Sequence, residues 1–250
     1  MGTQSGVLRI KGKVGELSFF KSKDGYGVRK SEGIDGKRIK TDPSYQRTRE
    51  NMAEFGRGCQ SARLLRTALR SHIPRSSSRS VSSRLIQLMM AILHTDVSHG
   101  RGDRTVEAGD LSKLSGFRFN EERSLKTTLD REPTSAIDRV AGTFTVTIPS
   151  LRSGEVQVPT GATHFRITAM AVEADFDQQT YVLGKAESDL ISVKDVQTAE
   201  ASLVASFTAN SSLPVIGAIG IQFVQVIQED EYALNSGEFT SMDIAVVSTV

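Results

Sequence analysis

Arginine is the residue that this sequence concentrates where chemistry could follow. Arg47, Arg49, Arg57, Arg63, Arg66, Arg70, Arg75, Arg79 and Arg84 follow one another with no lysine among them. A face needed only for solubility would do equally well with lysine, whereas a guanidinium offers a planar fork to carboxylates and phosphates. Upstream, Arg9, Lys11, Lys13, Lys21, Lys23, Arg29, Lys30, Lys37, Arg38 and Lys40 interleave with Phe19, Phe20 and Tyr26. Cations among aromatic rings are a pattern of nucleic-acid surfaces. The candidate assembly or polyanion-binding residues are therefore Lys11, Lys13, Lys21, Lys23, Arg29, Lys30, Arg47, Arg49, Arg57, Arg63, Arg66 and Arg70. Their candidate acidic partners are Glu173, Asp175 and Asp177, which alternate at a strand end, and the run Glu229, Asp230 and Glu231. Carboxylates at spacing two can also converge on calcium if a loop folds them together; the plainer reading is a charged sheet end that resists edge pairing.

Other chemistry is thinly represented. Gly12-Lys13-Val14-Gly15 lacks the spacing and the Lys-Ser/Thr ending of a phosphate-binding loop. There is no nucleophile elbow, no His-Glu-x-x-His and no cysteine pair. His94 and His99 are five apart and make a poor metal site with Asp96. Cys59, the single cysteine, falls in an apolar helical stripe and reads as a packing residue. Arg101-Gly102-Asp103 spells an integrin tripeptide, which three residues do by chance. The expectation is a non-enzymatic chain with no catalytic, cofactor or metal residues and no evident small-molecule substrate. A carbohydrate-binding reading ranks last, since tryptophan is absent and aromatics are 6%.

Charge divides the 250 residues. Residues 1–90 hold 19 Lys/Arg against 7 Asp/Glu, a net of +12, and residues 91–250 hold 12 against 22, a net of −10. The net of +2 is a near-cancellation. Such asymmetry points to a polyanion partner or to an electrostatically guided assembly. No run approaches the ~18 apolar residues of a membrane span, and the start has neither the basic nor the apolar region of a signal peptide. The expected location is the cytoplasm or an assembled particle.

The elements that must carry these charges change character along the chain. Residues 7–29 read as short strands, with a β-hairpin over 16–29 turned at Lys23-Asp24-Gly25. Residues 31–40 read as a loop, and Thr41-Asp42-Pro43 as a helix start. Tyr45, Met52, Phe55, Cys59, Ala62, Leu65 and Leu69 then predict one apolar stripe of an amphipathic helix, in which Gly56 and Gly58 mark a close helix contact or a bend. A second helix is expected from Ser82 or Ser83 to Leu93, forming a helical hairpin. Residues 95–109 read as a linker. From about residue 115 the period becomes strand-like, in nine runs: 117–119, 142–148, 156–158, 165–172, 181–183, 190–193, 203–207, 219–227 and 244–250. The expected fold class is α+β: an N-terminal β-hairpin arm and a helical hairpin, followed by an antiparallel β-sandwich. Its parts are a basic arm (1–43), an Arg-rich helical hairpin (44–95), a linker (96–115) and an acidic sandwich (116–250).

Gly12-Lys13-Val14-Gly15, Ser18-Phe19, Asp24-Gly25-Tyr26 and Arg29, with Thr41-Asp42-Pro43, Arg49-Glu50-Asn51 and Glu54-Phe55-Gly56-Arg57, resemble a family of Bacteroidota proteins of no established activity. Pro159–Phe165 is more loosely similar. The resemblance implies a β arm, an Arg-rich helix and a β-rich C-terminal half, and it brings no catalytic residue. The leading expectation is a structural subunit of a homo-oligomer or polymer (a filament, tube or shell) whose basic arm and helix meet the acidic β-domain of a neighbour. The alternative is a coat-like protein whose basic third binds nucleic acid.

Overall fold

A computed structural model describes residues 2–4, 9–30, 36–73, 78–194, 196–228, 230–234 and 240–249. The chain separates into two units, Met1–Arg49 and Glu50–Val250. In the first, β1 (Gly2–Thr3), β2 (Gly12–Val14), β3 (Leu17–Ser22) and β4 (Gly25–Lys30) form an antiparallel sheet in the order β1-β4-β3-β2. Gly15 and Gly25 take positive φ at the two hairpin turns, where a side chain would be strained. Of the stretch 31–40 expected to be a loop, residues 31–35 lie outside the described residues, and residues 36–41 form a short helix, α1 (Gly36–Thr41). Its end is held by an Arg38–Asp42 ion pair at 3.0 Å and by Arg49 Nη1, which donates to the carbonyls of Ile39 and Asp42. An i,i+4 ion pair and a guanidinium from seven to ten residues downstream settle this helix, where propensity alone does not.

Helices α2 (Gln46–Ala68) and α3 (Ser78–Leu93) follow, with a one-turn α4 (Leu125–Thr128) opened by a capping box at Ser124 and Thr127. The remaining strands are β5 (Thr134–Asp138), β6 (Thr143–Ile148), β7 (His164–Asp175), β8 (Thr180–Glu187), β9 (Ile191–Ser192), β10 (Ala201–Ser206), β11 (Val215–Ile227), β12 (Asp230–Ala233) and β13 (Ser241–Ser248). All their pairings are antiparallel. One sheet runs β10-β6-β5. The larger is built on the long pair β7–β11: β13 and β12 share the far side of β11, and β8 and β9 share the far side of β7. This is the expected α+β architecture, with an antiparallel, β-rich C-terminal half. Of the nine strand-like runs, 117–119 and 156–158 form only isolated bridges, while β5 and β12 add two strands with little apolar alternation.

Two cores lie in the second unit. Phe144, Val146 and Ile148 of β6 meet Phe165, Ile167, Ala169 and Ala171 of β7 and Ile219, Ile221 and Phe223 of β11 between the sheets. The opposite face of the larger sheet, with Met170, Val172, Ala174, Ile216 and Ala218, is covered by Leu65, Leu69, Leu85, Met89 and Ile92 of the helical segment. The helices are thus a layer of the β-rich unit. Burying ~25 cal/mol per Å² on both faces of one sheet explains why β7 and β11 are nearly continuous apolar runs.

Candidate assembly interface

The arm sheet places its side chains by register. Val14, Leu17, Phe19, Tyr26 and Val28 share one face with Lys21 and Lys30; Lys13, Ser18, Phe20 and Arg29 share the other. Among the described residues of 1–49 none is buried, and Val14 and Leu17 are 59% and 43% exposed. A small sheet needs an apolar face covered by something to be stable by itself. Its rings are held by its own cations: Arg9 and Lys21 lie over Tyr26 at 4.9 and 5.6 Å, and Arg29 over Phe20 at 5.6 Å. Lys11, Lys13, Lys21, Lys23, Arg29 and Lys30 are all exposed, and Lys30 lies 3.8 Å from Glu16.

Helix α2 is oriented differently from its sequence stripe. The buried face is Glu54, Gly58, Ser61, Ala62, Leu64, Leu65 and Ala68, and Met52 and Phe55 stand 62% and 54% exposed. Small residues win the inward face because α3 approaches closely: a Cβ at Gly58 would collide with Met90 Sδ. Gly58 therefore marks a helix contact, whereas Gly56 faces open space. Cys59 is half-buried on the outward side, not a core residue as its place in the stripe implied.

The arginines separate into two groups. Arg49 is spent on α1, and Arg57 donates to the carbonyls of Arg104 and Gly102 at 2.8 and 2.7 Å. Neither is a free docking cation. At 100° per residue Arg63 and Arg66 continue the outward stripe of Met52, Phe55 and Cys59, with Arg70 just beyond the helix end. The side chains of these three make no ion pair among the described residues. Arg47 is exposed.

The 95–109 linker is a stapled loop. Asp96, buried, accepts from the backbone of Ser98, His99 and Thr105 and from the side chains of Ser98 and His99. Burial alone would raise its pKa, but these bonds outweigh it and hold the carboxyl well below the ordinary range. Glu54, also buried, accepts the N–H of Gly102, and Arg101 donates to Asn51 at 2.8 Å. The Arg101-Gly102-Asp103 tripeptide is thereby pinned to α2. The bonds to α2 are not legible in the sequence because each joins the helix to a loop some 45 residues or more away.

The acidic candidates do not form one surface. Glu173 is buried: burial would raise its pKa, and bonds from Ser211 and Thr208 outweigh that and lower it. It serves the sandwich and is withdrawn from the partner surface. Asp175 caps the N–H of Gln178, and Asp177 is exposed in the same turn. Glu229 lies outside the described residues. Asp230 and Glu231 begin β12, where Glu231 pairs with Arg166 at 3.0 Å. Register sets Glu173 opposite Val215 and Asp230 opposite Ile227, so the two acidic groups lie at opposite ends of β11, roughly 40 Å apart at ~3.3 Å per residue. They cannot share a calcium ion. Among the described residues no three His, Cys, Asp or Glu side chains group to hold a metal. No helix among them is long and apolar enough to cross a membrane.

The described residues thus present three exposed features on an α+β chain: a basic arm, an apolar-then-basic helix stripe, and an acidic turn. Comparison with protein-family models, curated proteins and solved structures finds no match to the chain.

Proposed function

We propose that this protein is a non-enzymatic structural subunit that assembles with copies of itself, the basic arm of one copy meeting the acidic β-rich unit of the next. The observation that carries the reading is the arm: a four-stranded sheet with apolar and aromatic side chains among lysines on one face and no buried residue among those described. Its charge has a complement in the same chain. Residues 1–49 hold 12 Lys/Arg against 5 Asp/Glu, a net of +7, and residues 50–250 hold 19 against 24, a net of −5. A surface that is complementary to a different surface of the same chain generates head-to-tail contacts, which close as rings or grow as filaments. The nucleic-acid alternative is less favoured, because Phe20 and Tyr26 already carry cations over their rings and are not free platforms for stacked bases.

Sedimentation and negative-stain imaging of the purified protein at ~50 mM and ~500 mM salt test this, surface charge being screened within ~10 Å at 0.1 M. The expected result is particles at low salt, an absorbance ratio typical of clean protein, and dissociation at high salt. A monomer at every salt concentration overturns it. Co-purifying nucleic acid released by salt would favour the coat-like reading.

A further inference from the structure

We infer that the acceptor for the arm is the free edge of β8 at Thr180–Leu183, to which β2 of a second copy adds as a further strand; this rests on the self-assembly reading above. Edge strands expose unpaired N–H and C=O groups, and proteins blunt them with charge, proline, bulges or cover. Among the described residues β8 pairs with β7 alone. Its second half is guarded by Lys185 and Glu187, ion-paired at 2.7 Å, and is approached by β10, since a Cβ at Gly184 would overlap the Ser206 carbonyl. The first half has no such protection. Tyr181, Val182 and Leu183 are consecutive, uncharged and 40%, 50% and 36% exposed.

Their placement follows from register. Tyr181 lies opposite Ala174 and Leu183 opposite Val172, on the face that the helices cover, and Val182 lies opposite Glu173 on the sandwich face. β7 is buried on both faces here, while its neighbour β8 projects with apolar side chains on both. An added strand would cover them.

Charge selects the strand. Asp175 and Asp177 stand in the turn that leads into β8, and Glu107 accepts the N–H groups of Phe176 and Asp177 in the same place. None of these carboxylates has an ion pair among the described residues. β2 is an outer strand of the arm sheet and carries Lys13, with Lys11 just before it and Val14 at its end. Strand addition takes affinity from the main chain and register from such side chains. Val14 set beside Val182 covers that face, and Lys11 and Lys13, on the other face of the added strand, bring their charge to the turn that carries Asp177.

Three single variants and one double variant of the 250-residue chain test the proposal by sedimentation at low salt. Val182→Lys, an exposed change that restores edge protection, is expected to reduce the particle fraction about tenfold or more with an unchanged melting temperature. Asp177→Lys and Lys13→Asp should each do the same, and the two combined in one chain should restore particles. Particles unaffected by Val182→Lys and Asp177→Lys overturn the β8 site and leave self-assembly standing. A wild-type protein that is monomeric overturns both.

Discussion

Two titratable side chains pull the stability of this protein in opposite directions with pH. Asp243 on β13 is pushed up to about 6 by burial, against the lowering effects of the Leu125 N–H and Arg118, and its Oδ1 has no hydrogen-bond partner among the described residues. The folded state keeps this proton while the unfolded chain releases it near 3.8. Its contribution is therefore fully present below pH 3.8 and is lost as pH rises through about 6. His72 is lowered to about 4, first by burial and then by Lys185. The folded state refuses a proton that the unfolded chain takes up near 6.5, so acidification from 6.5 toward 4 costs stability. Asp243→Asn keeps an acceptor for Leu125 and removes the ionisation. It should raise stability at pH 8 by on the order of 1–2 kcal/mol, discounted for partial solvent screening. Urea midpoints between pH 4 and 8 check this: the variant should show a steeper loss toward acid, because the His72 effect is then unopposed.

At the scale of elements, close approach and long-range staples decide geometry. Gly184 and Gly58 sit where a backbone carbonyl and a methionine sulfur leave no room for a Cβ. Gly184→Ala meets rigid backbone and should cost ~1–3 kcal/mol, as overpacking does, and Gly58→Ala should cost less because the Met90 side chain can turn aside. Thermal unfolding of the pair measures the difference. Arg57→Ala removes two hydrogen bonds to loop carbonyls and should speed amide exchange in residues 100–104 without changing the strand amides. Uniform exchange across the molecule would contradict that loop-local role. The same elements show how legible the chain was. The strong alternation Thr143–Ile148 announced β6, and the long apolar runs announced β7 and β11. Helix α2 was legible as a helix but not in its rotation, since its inward face is Gly58, Ser61 and Ala62 with a buried Glu54, and only the fit to α3 and to the 100–104 loop selects them.

For the whole molecule, the proposed assembly predicts where protection appears. Amides of residues 12–30 should exchange rapidly in dissociated protein at high salt and become protected in particles, together with residues 180–183, while the buried strands change little. Protection, at high salt in the monomer, of those amides of 180–183 that point away from β7 would contradict a free edge. The segregation of charge, the absence of catalytic motifs and the order of arm, helices and sheets were all readable from composition and period, because each is a property of residues near one another in sequence. The acceptor edge was not. Tyr181-Val182-Leu183 is a plain apolar triplet until strand order leaves β8 without an outer neighbour among the described strands, and Glu173 looks like Asp175 and Asp177 until Ser211 and Thr208 close over it. Sequence alone determined which charges and periods the chain carries. Which of them face water was decided only by tertiary packing, because burial is set by partners that the linear order does not bring together.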